Sequence, residues 1–312
     1  MTGGIVVFAY SEVGYACLRI LLERGETIAA LFTHEDDHGE RQWFSSCAVL
    51  ARANGIPVYT IEPRDGDEVE RIVAAIAPDL ILSFYYRKMI PERILALARL
   101  GAFNMHGSLL PRYRGRAPLN WAIINGESET GVTLHVMVKA ADAGDMIDWE
   151  PVSIGPDETA GEVAARIPAA AVHIVTRQID ALKAGTAPRH KQDESKVTYF
   201  GIRKPEDGRI DWTQTSRQVV DLVRAVTVPF PGAFTTLDGR KLMVWRARAV
   251  EGHGQAGEVL SVSPFVVATG DGAVRLDHFG FEGESETMAS TEVVVALTLG
   301  DILGAGILGV IE

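Results

Sequence analysis

The chain is poor in sulfur. Cys17 and Cys47 are its only cysteines among 312 residues. Two cysteines outside any Cys-x-x-Cys spacing point to reduced thiols in a cytosolic protein. Its eight histidines are scattered, so no metal-binding pattern emerges. No apolar run reaches about 18 residues, which excludes an expected membrane-spanning helix. The N-terminus enters the strand-like run Ile5-Val6-Val7-Phe8-Ala9 with no basic segment or cleavage site before it, so no signal peptide is expected and the cytoplasm is the expected compartment. Positive charge is also in deficit, at a formal net −11, which argues against a general grip on nucleic acid. A dinucleotide fingerprint is missing. Gly3-Gly4 precede the first strand, and the turn after it reads Tyr10-Ser11-Glu12-Val13-Gly14, with no G-x-G-x-x-G. Internal repeats and low-complexity segments are absent as well.

The residues present describe a globular chain, 47% hydrophobic and 23% charged, long enough for two domains. Buried-strand runs at 5–10, 28–33, 56–59 and 79–85 alternate with helical stretches at 13–24, 41–54 and 66–77. That alternation predicts an α/β, Rossmann-like, mostly parallel sheet with helices on both faces. The run at 79–85 is expected to be central. A helix from Thr159 to Ala184 follows, which Pro168 should kink or split. Residues 185–205 are polar and irregular and predict a linker with little structure. Short strands near 233–237, 241–250, 257–262, 265–269 and 273–279, spaced by turns, predict a small open β-barrel. The expected domains are therefore 1–190 and 206–312, with 191–205 as the linker. Acidic side chains outnumber basic ones in 206–312, which does not suit a nucleic-acid-binding barrel.

The densest chemistry lies in residues 101–145. Asn104 and His106 sit two apart after Ala102-Phe103, so in a strand an amide and an imidazole project from one face. A loop with Arg112, Arg114 and Arg116 follows. A second strand, Thr133 to Val138, then leads to Asp142 in the segment Lys139-Ala140-Ala141-Asp142-Ala143-Gly144-Asp145. Ligand sites in open α/β sheets lie at such strand ends. The amide can stabilise an oxyanion. The imidazole can exchange a proton near neutrality. The carboxylate can orient the imidazole and raise its pKa.

The ordered set Asn104-x-His106-x-Ser108-Leu109-Leu110-Pro111, Tyr113-Arg114-Gly115 and Asp142-x-Gly144-Asp145 resembles the signature of the folate-dependent formyltransferases, and the likeness to their two-domain members covers nearly the whole chain. The resemblance implies formyl transfer from 10-formyltetrahydrofolate to an amine, with no metal, and with Asn104, His106 and Asp142 as the catalytic trio. It implies folate contacts at Lys88, Met89, Ile90, Arg116, Val138, Lys139, Ala140, Ala141 and Asp142. Tyr10, Ser11, Tyr85 and Arg114 are expected on the acceptor side. The helix N-terminus at Ser11 could receive a phosphate.

Within that family, Ser83-Phe84-Tyr85-Tyr86-Arg87 and Arg114-Gly115-Arg116-Ala117-Pro118 are similar to the enzymes that formylate UDP-4-amino-4-deoxy-L-arabinose in lipid A modification and polymyxin resistance. Methionyl-transfer-RNA formyltransferases carry a basic loop where this chain has His34-Glu35-Asp36-Asp37-His38-Gly39-Glu40. The expected partner is thus a nucleotide sugar, on UDP or dTDP, and neither transfer RNA nor a membrane. A homo-oligomer is compatible with the sequence. In many bacteria the aminoarabinose enzyme is fused to a dehydrogenase–decarboxylase. This sequence ends after the barrel, so that step is expected from another protein.

Overall fold

Apolar runs assemble the larger sheet. The structure, a computed structural model, describes residues 3–35, 44–61, 66–284, 286 and 288–304. In chain order it forms β1 (Ile5–Ala9), α1 (Ser11–Glu23), β2 (Ile28–Phe32), α2 (Cys47–Ala53), β3 (Val58–Tyr59), α3 (Gly66–Ile76), β4 (Leu80–Phe84), α4 (Glu92–Leu95) and β5 (Gly101–His106). There follow β6 (Arg114–Gly115), α5 (Pro118–Ile124), β7 (Glu129–Val136), β8 (Met146–Ser153), α6 (Ala160–Ala164), α7 (Ile167–Ala184) and β9 (Tyr199–Phe200). The remainder forms α8 (Ser216–Val226), β10 (Ala233–Leu237), β11 (Arg240–Val250), β12 (Val259–Val262), β13 (Phe265–Ala268), β14 (Ala273–Phe281) and α9 (Thr291–Ala296).

The seven-stranded sheet has the order β3-β2-β1-β4-β5-β7-β8, so β4 is the middle strand. β1 and β4 are buried along their whole length, as parallel strands covered on both faces must be. The strands β3, β2, β1, β4 and β5 run parallel, and β7 pairs antiparallel with β5. Strand order reverses between β1 and β4, which opens a crevice at the carboxyl ends of these strands, with β5 ending beside β4. Phe8 packs in one core cluster with Val6, Phe32, Ile81 and Ile94. Its ring stacks on Phe32 at 4.6 Å and meets Tyr86 edge-on at 5.3 Å.

Pro168 splits the expected long helix. It occupies the first turn of α7, where its missing N–H costs nothing, and Gly185 closes that helix in the left-handed conformation.

Two compact units divide the chain elsewhere than at 190. The first comprises 1–118, 129–153 and 164–201, and the second comprises 119–128, 154–163 and 202–312. The reason is visible in α8. Its Arg224 donates to the carbonyls of Gly155 and Glu158, and the Ala225 carbonyl accepts from Asn120. The second unit is built on a five-stranded antiparallel sheet, β10-β11-β14-β13-β12. Among the described residues no pairing joins β10 to β12, so the sheet stays open. The expected linker is structured too. Its Tyr199 and Phe200 form β9, parallel to β6. The acidic loop from Asp36 onward, and the tail beyond residue 304, lie outside the described residues. No described helix is long and apolar enough to cross a membrane.

Because Phe8 is fully buried, Phe8→Ala is expected to cost about 3–5 kcal/mol, read as a lowered midpoint in urea denaturation.

Candidate active site

The register of β4, β5 and β7 sets the site. Ser83 pairs with Asn104 across β4 and β5, and Asn104 pairs with His135 across β5 and β7. Directly opposed residues of antiparallel strands share a face. Asn104 Nδ2 accordingly lies 3.1 Å from His135 Nε2. His135 Nδ1 is 2.9 Å from the Val136 carbonyl. A carbonyl only accepts, so Nδ1 carries the proton and Nε2 receives the Asn104 amide N–H. This contact orients the amide with its nitrogen toward His135. No other hydrogen bond of the Asn104 side chain occurs among the described residues.

The loop after β5 orients His106 by similar logic. Thr133 Oγ1 donates to the Ser108 carbonyl at 2.7 Å and accepts from the Leu110 N–H at 3.1 Å. Ser108 Oγ donates to the Arg112 carbonyl at 2.7 Å. These bonds fold Ser108–Tyr113 so that the Tyr113 carbonyl lies 2.8 Å from His106 Nε2. The proton therefore sits on Nε2. Nδ1 keeps its lone pair and lies 3.5 Å from Asp142 Oδ1.

Asp142 lies at 3.5 Å from both His106 Nδ1 and His135 Nε2. Its backbone adopts the left-handed region, φ 55°. Its second oxygen accepts the Gly115 N–H at 3.0 Å. Gly115 itself has φ 102°. A Cβ at that position would overlap the Phe200 carbonyl, so only glycine lets β6 approach β9 this closely.

Burial favours the neutral Asp142 acid, but the neighbouring imidazoles of His106 and His135, which favour the carboxylate, and the Gly115 N–H outweigh it. The carboxyl is held well below the usual range. Burial pushes the His106 imidazole below its ordinary value. The Asp142 charge and the Tyr113 carbonyl oppose that shift without reversing it, and His135 adds to it. The raised His106 pKa expected from sequence is thus corrected in direction, because desolvation of a ring only 7% exposed outweighs its carboxylate neighbour. The resting state is a carboxylate beside a neutral imidazole.

These groups line a cavity of about 430 Å³ at the carboxyl ends of β4 and β5, within the size range of small-molecule sites. Tyr85, Lys88, Met89, Ile90, Arg116, Val138, Ala141 and Asp142 line it, as do Asn104 and His106. Exposed apolar side chains gather there: Met89, Val138 and Tyr199.

Other expected residues lie elsewhere. Lys139 and Ala140 are outside the lining. So are Tyr10 and Ser11, which sit at the junction of β1 and α1. Arg114, expected on the acceptor side, is also outside the lining. Its guanidinium is buried and bound to Gln192 at 2.8 Å and Glu194 at 2.8 Å. His135 and the Tyr199–Gly201 strip line the same cavity without having been expected there from sequence, and Gly115, quoted only within the signature, lines it too. His135 carries a signal in retrospect, as a polar residue in an alternating strand with Thr133.

An amide, an imidazole and a carboxylate thus converge at the open end of an α/β sheet, where ligand sites of such folds lie. The chain belongs to the formyl transferase family. Residues 13–179 match the family model described as formyl transferase, and residues 203–293 match its C-terminal domain.

Solved structures share the fold. An N-formyltransferase from Helicobacter canadensis, in complex with folinic acid and dTDP-3-aminofucose, matches with TM-score 0.70 and 19% identity over 88% of this chain and 99% of that one. A 4-N formyltransferase from Francisella tularensis matches with TM-score 0.64 and 22% identity over 77% and 95%. HypX from Aquifex aeolicus, in complex with tetrahydrofolic acid, matches with TM-score 0.63 and 21% identity over 90% of this chain and 45% of that one.

Tyr85 has φ 55°, and its hydroxyl lies where a Cβ on Gly107 would fall. Gly107→Ala is expected to displace that ring and lower formyl transfer roughly 10–100-fold with little change in melting temperature, as checked by turnover and thermal denaturation on the same preparation.

Proposed function

We propose that the protein transfers the formyl group of 10-formyltetrahydrofolate to the 4-amino group of a nucleotide-linked amino sugar, with UDP-4-amino-4-deoxy-L-arabinose as the favoured acceptor. The carrying observation is the convergence of Asn104, His106 and Asp142 on one cavity, with His106 Nε2 at 2.8 Å from the Tyr113 carbonyl and Nδ1 at 3.5 Å from Asp142. The cavity wall fits the donor's chemistry. It joins apolar surface from Met89, Val138 and Tyr199 to the cationic side chains of Arg116 and Lys88, which suits an aromatic molecule with an anionic tail. Lys88, Met89, Ile90, Arg116, Val138 and Ala141 would hold it, and it supplies an activated formyl carbon.

The protein's own groups then divide the work. As the neutral amine attacks, Asn104 donates its remaining N–H to the oxygen that gains charge. His106 Nδ1 accepts the proton the amine loses. The imidazolium so formed lies between the Asp142 carboxylate and the Tyr113 carbonyl, which stabilise it. On collapse the same proton passes from His106 to the departing nitrogen. No net charge leaves the site and no electron is exchanged. Tyr85 is the acceptor-side residue best placed for contact, since its hydroxyl makes no hydrogen bond among the described residues and burial, followed by the nearby Cys17, pushes the phenol pKa up and keeps it protonated. Tyr10 and Ser11 stand as more remote acceptor contacts.

A dTDP-linked amino-hexose is the second reading, favoured by the dTDP-3-aminofucose complex of the Helicobacter canadensis enzyme. Parallel assays with 10-formyltetrahydrofolate and three acceptors decide between the readings: UDP-4-amino-4-deoxy-L-arabinose, a dTDP-amino-hexose and methionyl-initiator transfer RNA. Formylation of the UDP sugar alone supports the favoured acceptor and, with it, a place in lipid A modification. Formylation of the transfer RNA alone would overturn the nucleotide-sugar reading.

Asn104→Ala is expected to lower kcat about 10²–10³-fold, the usual cost of one oxyanion donor, with the fold intact by circular dichroism. The pH dependence has a defined sign. His106 acts in its neutral form, and its folded-state pKa is depressed, so kcat holds through the ordinary imidazole range near pH 6.5 and falls only at lower pH. Asp142→Asn removes the charge that raises the His106 pKa. It is expected to move the acid limb of kcat lower still while depressing the plateau.

A further inference from the structure

The segment that follows α7 contains one side chain whose hydrogen-bonding capacity is used completely. Gln192 Nε2 donates to the carbonyls of Asp142 at 2.7 Å and Gly144 at 2.8 Å. Its Oε1 accepts from Arg114 Nε at 3.1 Å and Arg114 Nη2 at 2.8 Å. A primary amide offers two donors and one oxygen with two lone pairs, and all four are engaged here. Arg114 is in turn fixed. Its side chain is 7% exposed and paired with Glu194 at 2.8 Å. Its backbone N–H donates to the Thr198 carbonyl at 3.0 Å. The next residue, Gly115, donates its N–H to Asp142 Oδ2.

These contacts close a ring. Asp142 is held at its backbone carbonyl by Gln192 and at its carboxylate by Gly115, and Arg114 joins the two holders. We infer that Gln192 is a positioning residue for Asp142, locking the left-handed backbone of that residue so that its carboxylate stays in reach of both histidines. A non-glycine residue in the left-handed region persists where its surroundings over-determine it, and the Gln192 bonds on either side of Ala143 supply that constraint. Removing them leaves two partly buried carbonyls without their donor and Arg114 Nε without its acceptor. The segment 140–145 then relaxes, and Oδ1 leaves its place between His106 and His135. Gln192 itself touches no reacting atom. Its effect passes through Asp142, and it rests on the formyl-transfer reading only for its kinetic arm.

The experiment combines a kinetic cycle with a substrate-free titration on the full chain. Gln192→Met keeps the length and removes all four bonds. Gln192→Glu keeps an acceptor for Arg114 and removes both donors to the loop. Each is expected to lower kcat roughly 10–100-fold, with KM for donor and acceptor changed by less than about 3-fold. In an Asp142→Asn background the same substitutions should cost less than about 2-fold, because the residue they position has already lost its charge. By NMR without substrate, the His106 imidazole of Gln192→Met should titrate at lower pH than in the wild type, since the neighbouring carboxylate has moved off. Full additivity in the double variants, or an unchanged His106 midpoint in a folded Gln192→Met protein, would overturn the inference. If Gln192→Met fails to fold, Gln192→Glu decides through the cycle. Should no amino sugar be formylated at all, the transfer reading falls and the titration alone decides Gln192.

Discussion

A buried carboxylate is the constraint from which the rest of the site follows. Withdrawing one charge from water costs several kcal/mol in a real protein unless donors replace the solvent. Asp142 is 12% exposed in its side chain, and its replacement donors come from parts of the chain far apart in sequence. Gly115 supplies a backbone N–H across 27 residues, and Gln192 holds the loop across 50. To bring Gly115 close, β6 must lie against β9. To hold β9, Thr198 accepts the Tyr113 N–H at its hydroxyl and the Arg114 N–H at its carbonyl, and Tyr113 stacks on Phe200 at 5.0 Å. The strip of sequence beyond α7 is thus part of the electrostatics of the centre, although none of its residues belongs to the polar trio.

Sheet topology supplies the second ingredient. A purely parallel continuation after β5 would bring a neighbour forward at the same end. The antiparallel β7 instead returns through the site and sets His135 opposite Asn104. Thr133, one strand repeat away, anchors the Ser108–Tyr113 loop. One strand therefore orients both the amide and the imidazole. That economy also explains the tautomers. Two backbone carbonyls, those of Tyr113 and Val136, each take one ring N–H, and each histidine turns its remaining lone pair inward.

Much of this was legible in sequence where the physics is local. The two-residue spacing of Asn104 and His106 reads directly as one strand face, and the run at 79–85 reads as the central strand because both its faces are apolar. Legibility failed where partners are distant. His135 enters through register between strands that are separated by a long loop and a helix, and no local pattern encodes register. Arg114 resembled a free cation in a basic loop, yet its partners lie 78 and 80 residues on. Residues 185–205 looked like a linker because β9 is two residues long and owes its form to pairing with β6. The compact units are likewise discontinuous in sequence. Segments 119–128 and 154–163 join the second unit through hydrogen bonds to α8 that composition cannot reveal.

The direction of the His106 shift has a consequence for the chemistry. A histidine beside a carboxylate suggests an imidazolium ready to donate. That expectation weighs only the attraction between the two charges. In this protein the ring is buried against strands β5 and β7 with a second imidazole nearby, and the loss of solvent outweighs the pull of the carboxylate. A neutral ring is then the ground state, and the carboxylate at 3.5 Å from its bare nitrogen makes that state poorer than it would be in an apolar pocket. In the proposed transfer, a proton arriving on His106 Nδ1 would remove a lone-pair-to-carboxylate repulsion and create an ion pair in one step. On that proposal Asp142 acts most strongly after His106 has been protonated, as a group whose stabilisation grows along the reaction coordinate. Fixing it at 3.5 Å, with backbone donors and a fully engaged amide behind it, keeps that gain available without reorganisation.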